Sequence, residues 1–268
     1  MTEHLLDDGP VLLNVTDGVA QLRLNRPESS NGMDVPLLRA LHEAVLRCHV
    51  RQDVRVVVLS GAGRNFCAGG DVKTFAAKGE SLPGYLREAT AWLQLASAAL
   101  MQLDAPVVVA VQGYAAGGAG LGLVCAADLV VAEESARLMS GAVRVGMAPD
   151  AGTTVTLGRI VGQRRAMEIL LTNPTLTAAE AAELGLVTRV VPDGELESHV
   201  AELASQLAAA APLALAATKR LVLAGASASV HQQLPEEARI VAELSGTHDA
   251  REGLAAVLER RTPRFEGR

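Results

Sequence analysis

A chain of 268 residues with 24 Lys+Arg against 30 Asp+Glu carries a formal charge of −6, so it lacks the basic field that holds a phosphate backbone, and no nucleic acid is expected as a partner. Hydrophobic residues at 49% and charged residues at 20% exclude disorder, because so apolar a chain can offset its ordering entropy. The length suits one large domain or two small ones, and three Phe, two Tyr and one Trp beside 25 Gly imply a core of small side chains and close backbone approaches.

The start, Met1-Thr2-Glu3-His4, has no cationic run leading into an apolar one, which reads as no secretory leader. Val11–Thr16 and Val19–Leu24 are predicted strands of a hairpin about Asp17-Gly18. Asn25-Arg26-Pro27-Glu28 closes the second strand. Asp34 is placed to cap a helix with Pro36 in its first turn and Leu38, Leu41, Val45 and Cys48 at helical spacing. Val54–Ser60 reads as a buried strand, Gly61 to Gly70 as a glycine-punctuated loop, and Asp71 as the opening of a helix. A helix from about Gly84 to Leu103 leads to a second buried strand, Val107–Val111. Gly113 to Gly122 reads as a small-residue turn before a short apolar helix, and Leu129–Ala132 as a third strand. Pro106 to Ala127 is the longest apolar stretch, but Gln112 and several glycines interrupt it, so no membrane span is expected.

Beyond Gly152 the pattern is helical, with breaks at Val161-Gly162 and Leu184-Gly185 and one short strand, Val187–Val191. Glu195 to Glu259 reads as Ala/Leu-rich amphipathic helix broken near Pro212, Gly225 and Pro235. The alternation is α/β over residues 1–194, followed by a helical region over 195–268. Cys48, Cys67 and Cys125, an odd number without paired spacing, read as buried thiols of a reducing, cytoplasmic protein.

Three segments are candidates for chemistry. Phe66-Cys67-Ala68-Gly69-Gly70-Asp71 follows a buried strand and offers successive N–H groups at a helix start, although an ordinary tight connection with a capping Asp accounts for it equally. Gly113 to Gly122 also follows a buried strand. It fails the dinucleotide fingerprint, because a start at Gly118 puts Leu123 where the last glycine belongs; close helix packing on the sheet is the plain alternative. Two such turns aimed at one point would form an oxyanion hole. In Met147-Ala148-Pro149-Asp150-Ala151-Gly152, Asp150 is a helix cap or, beside that hole, the one carboxylate placed as a general base. No nucleophile elbow, phosphate loop or paired-histidine motif occurs, so neither a metal nor a bound cofactor is expected.

Together these segments resemble the crotonase (enoyl-CoA hydratase/isomerase) superfamily over nearly the whole chain: Leu22-Arg23-Leu24-Asn25-Arg26-Pro27-Glu28, Phe66 through Lys73, Val107–Gly118, Gly146 through Gly152, Gly158 through Glu168, and Leu184-Gly185-Leu186-Val187. The resemblance implies a ββα spiral with C-terminal helices that make trimers or a dimer of trimers, and an acyl-CoA substrate in which CoA enters only as part of the thioester. It implies oxyanion donors at Gly70 and at Gly118, or at Ala119 if the one inserted residue is counted from Asp128. It further implies CoA contacts from Ala68, Gly70, Asp71, Val72, Lys73 and Gly118, and from Phe265 of a neighbouring subunit.

The departures from that family bear on the reaction. The two glutamates that hydratases of the family use on water fall here at Leu121 or Gly122 and at Ala142, none of them acidic. An aspartate like Asp150 shuttles protons in the family's ring-opening and enoyl-CoA isomerases, so isomerisation is the expected activity. Hydration with atypical water positioning is the alternative. An aryl-CoA dehalogenase-like enzyme is third, since Ala142 and Gln94 stand where those enzymes carry a tryptophan and a histidine. An inactive acyl-CoA binder or an RNA-binding homologue is the reading from another class.

Overall fold

In the computed structural model, which describes residues 2–268, the long runs of consecutive valines become strands buried on both faces, as parallel sheets require. A seven-stranded sheet has the order β1 (Glu3–Leu6), β2 (Val11–Thr16), β3 (Val19–Leu24), β4 (Val56–Gly61), β5 (Val107–Val111), β7 (Leu129–Glu133), β10 (Arg189–Val191). Its first three strands are antiparallel and the rest join in parallel, with Leu22 paired to Leu59 and Val109 to Val130. A smaller sheet is built of β6 (Tyr114–Ala116), which follows β5, β8 (Arg137–Met139), which follows β7, and β9 (Leu176–Thr177), which precedes β10. This mixed α/β architecture is the expected fold class.

The helices follow from local chemistry. In α1 (Val35–His49) the Asp34 side chain accepts the Leu37 N–H, and Leu37, Leu38, Leu41, Ala44, Val45 and Cys48 form its buried face. α2 (Val72–Ala76) is capped by Asp71, and α3 (Leu82–Gln102) buries Ala89, Leu93, Ala96 and Leu100. α1 and α3 pack with α4 (Gly117–Ala126) into the main core, to which one sheet face contributes Val57, Leu59, Val107, Val109 and Val111. The alternate residues Val56, Val58, Val108, Ala110 and Val131 point the other way, onto Leu196, Val200, Leu203 and Ala204 of α8 (Leu196–Ala208).

Two stretches depart from expectation. α4 begins at Gly117, inside the segment read as a turn, because its glycines let the helix lie against the Cys67 carbonyl and the chain at Asp150; tertiary packing overrides poor propensity. Pro235 does not break its helix. A capping box, Ser229 with Gln232, starts α10 (Val230–Ser245) upstream of it, and the chain instead breaks at Gly246 before α11 (His248–Glu259). The two-to-four-residue strands β1, β6, β8 and β9 are too short to show a period. No single helix among the described residues is long and apolar enough to cross a membrane.

α9 (Pro212–Gly225) is tied to the sheet by one buried cation. Lys219 Nζ lies 2.7 Å from Asp128 Oδ2, which also accepts the Val107 N–H at 2.7 Å. Lys219→Met takes the cation from a partly exposed carboxylate and is expected to cost about 2 kcal/mol in denaturant unfolding, the worth of a hydrogen bond to a charged group, without moving the residues described next.

Candidate active site

The first loop is held by a buried asparagine. Asn31, fully buried with φ +54°, donates from Nδ2 to the carbonyls of Ala62, Asn65 and Phe66 at 2.9–3.0 Å, and its Oδ1 accepts the Arg26 N–H. Arg26 then reaches Asp34 at 3.0 Å and Asp71 at 3.1 Å. Burial works against a charge on Asp71, but the Thr74 N–H and the Arg26 guanidinium together hold its carboxyl below the usual range. Cys67 donates to the Asn31 carbonyl and accepts from Gly69 N; burial pushes its thiol up to about 12, so it is a packing group rather than a nucleophile. Sequence reasoning passed over Asn31. Its signal was a polar residue between two proline-marked segments, in a conformation that asparagine tolerates.

The second turn lies directly on the first. Gly69 has φ +94° and Gly117 has φ +71°, and a methyl group built on Gly117 would sit 2.7 Å from the Gly69 Cα and 3.5 Å from the Gly70 nitrogen. Only glycine permits that approach. Neither Gly70 N–H nor Gly118 N–H donates to a backbone carbonyl among the described residues, and Ala116, the N-cap of α4, supplies no side-chain cap. Two N–H groups without a backbone acceptor therefore lie on the two turns that Gly69 and Gly117 press together, that of Gly118 at the positive end of an apolar helix, where negative charge is stabilised. Phe75 covers the other side: a methyl on Gly70 would lie 2.5 Å from its ring.

Asp150 reaches the second of these groups. A methyl on Gly118 would overlap its Oδ1, which places the carboxylate against the first turn of α4. Asp150 does not cap α5 (Thr153–Val161); Gly152 occupies that position. The carboxylate oxygen Oδ1 is buried and has no hydrogen-bond partner among the described residues, and burial holds the carboxyl above its ordinary range.

The same geometry orders the alternatives on α4. Gly118 and Gly122 face the Asp150–Thr153 turn, whereas Ala119 and Leu121 point into the main core. The space beside Gly122 is met by the Ala151 methyl and the Thr153 hydroxyl, and Ala142 is a buried methyl. No second carboxylate enters from either position.

The other expected contacts are dispersed. Ala68, Val72 and Lys73 are exposed along the loop beside Gly70. Phe265 lies beside Gly253 of its own chain, with the tail beyond it held by buried Asp249, which accepts the N–H groups of Glu266 and Gly267 at 2.8 Å. A cleft of about 650 Å³ lies away from these groups, between α8 and the far sheet face, where Asn14, Gln21 and Arg23 point outward.

The family described as enoyl-CoA hydratase/isomerase matches residues 14–268. A Rhodobacter capsulatus protein named "Probable enoyl-CoA hydratase" is 41% identical over 95% of this chain and 96% of its own. The (E)-benzylidenesuccinyl-CoA hydratase of Thauera aromatica is 35% identical over 96% of this chain and 99% of its own. Among solved structures, an enoyl-CoA hydratase from Bacillus anthracis superposes with a TM-score of 0.92 at 33% identity, covering 97% of this chain and 100% of that one.

Proposed function

Because this chain belongs to the enoyl-CoA hydratase/isomerase family, we propose that it is an acyl-CoA isomerase that moves a double bond by a single-base proton transfer. The N–H groups of Gly70 and Gly118 receive the thioester oxygen. Asp150 takes a proton from C2 of a 3-enoyl thioester, the electron pair passes into the carbonyl as a dienolate, and the neutral acid returns the proton to C4. Atoms and charge balance without water or redox partner. A carboxyl whose pKa is raised by burial suits this role, because it must accept and release the proton with comparable ease. The observation that carries the reading is the Asp150 oxygen seated against Gly118, while glycine and alanine stand at 122 and 142, where the family resemblance puts the glutamates of hydratases. We assign the ends of the acyl-CoA path to Ala68, Asp71, Val72 and Lys73, and a trimer to the C-terminal helices, whose Leu254, Val257 and Leu258 are exposed. In that assembly Phe265 would serve a neighbouring subunit.

Hydration is the second reading, and the names of the two relatives favour it. The test offers purified protein 3-enoyl-CoA and 2-enoyl-CoA, and follows double-bond migration and water addition separately. Migration without hydration is expected; hydration at an enzymatic rate with no migration overturns the isomerase reading. The pH profile adds a second mark. Only the charged carboxylate accepts the proton, so kcat/KM falls tenfold per unit below the Asp150 pKa, with the limb lying above the ordinary aspartate value of about 3.9.

A further inference from the structure

Thr153 is fully buried, and its Oγ1 has no hydrogen-bond partner, an uncommon state for a hydroxyl that can both donate and accept. It stands at the end of a tight turn that begins at Asp150. Thr153 N donates to the Asp150 carbonyl at 2.9 Å, and Ala151 and Gly152 between them have φ of +54° and +78°. A turn of this kind brings its ends within about 7 Å. Both side chains are directed at one stripe of α4. Asp150 Oδ1 abuts Gly118, and Thr153 Oγ1 lies 3.1 Å from the point a methyl on Gly122 would occupy. The β-carbon positions of residues four apart on a helix lie about 5–6 Å from one another, and hydrogen bonds of about 2.8 Å from one water reach groups set against neighbouring positions of such a stripe. Two orphaned oxygens, each buried and both facing the same strip of backbone, are the two polar partners that a structural water needs at the least.

We propose that Thr153 is a positioning residue for Asp150, holding through one water the carboxylate oxygen Oδ1 to which no protein group donates a hydrogen bond. The left-handed conformation of Ala151, unfavourable for a residue with a β-carbon, is the local strain that places both oxygens on the same side. Competing charges are few. α4 carries only Cys125, whose thiol burial pushes up to about 12 and which bonds Thr156. The first loop carries Cys67, likewise at about 12, and Asp71, already paired with Arg26. Arg144 donates to the Asn173 carbonyl, and Arg159 lies in the last turn of α5. The water rests on the assignment of Asp150 as base only for its consequence in catalysis.

A crystal structure of the unliganded protein should show one ordered water within hydrogen-bond reach of both Asp150 Oδ1 and Thr153 Oγ1. Thr153→Val keeps the shape and removes the hydroxyl, so the charged carboxylate loses support. The acid limb of kcat/KM for a 3-enoyl-CoA should then move up by about one pH unit, with KM little changed, and Thr153→Ser should restore it. Titration of the ¹³C-labelled Asp150 carboxyl in the same variants reads the same shift without catalysis, so a failure of the isomerase reading leaves this test intact. An absent water, or a carboxyl titration and acid limb unmoved in Thr153→Val, overturns the proposal.

Discussion

Asp150→Asn should reduce double-bond migration by about 10³-fold in kcat while leaving the KM for the CoA ester within a few-fold of wild type, measured on 3-enoyl-CoA at neutral pH. The magnitude follows from loss of a positioned general base, worth 10²–10⁴ in rate, with no other carboxylate at Gly122 or Ala142 to replace it. The substitution is nearly isosteric, so the N–H groups of Gly70 and Gly118 keep their places and binding survives. A second readout moves the opposite way. Burial raises the carboxyl pKa in the folded protein above its unfolded value, so the folded state favours the proton. Below the unfolded pKa the native protein therefore carries no penalty from this group. The penalty grows as pH rises from the unfolded pKa through the folded one and is complete above the folded pKa. Asp150→Asn is accordingly expected to raise the melting temperature at pH 7 and to leave it unchanged at low pH. Undiminished migration in this variant removes Asp150 as the base.

How much of this was legible beforehand depends on the range of the interaction. The valine runs at 54–59 and 107–111 announced buried parallel strands, and Asp34 and Asp71 announced helix starts, because both signals lie within a few residues. Residues 70, 118 and 150 could be named as candidates from their turns. What brings them together is the Gly69–Gly117 backbone contact and the fit of Asp150 against Gly118, which are packing facts with no local sequence pattern. Asn31 illustrates the other gap. Its amide bonds three carbonyls more than thirty residues away, and nothing in its own neighbourhood marks those partners. Pro235 shows the converse, a strong local breaker outweighed by the capping box just upstream.

Gly118→Ala separates the two explanations for a glycine on a helix. Gly118 has no left-handed backbone to protect, and alanine is the better helix former by about 1 kcal/mol. On propensity alone the substitution should stabilise the protein and leave it active. The added methyl, however, overlaps Asp150 Oδ1, so either the carboxylate rotates away or the Asp150–Thr153 turn retreats from α4. Both movements displace the base from the oxyanion donors, and a displacement near 1 Å costs about 10²-fold in rate. Gly84, in the first turn of α3 with nothing near its α-carbon, is the control: Gly84→Ala should gain the propensity term and keep full activity. The expected pair of results is a loss of about two orders of magnitude in kcat for Gly118→Ala, with its melting temperature close to wild type, against unchanged kcat for Gly84→Ala. Equal activity in the two variants would mean that the carboxylate does not work from the position against Gly118, and the single-base mechanism would lose its geometric basis.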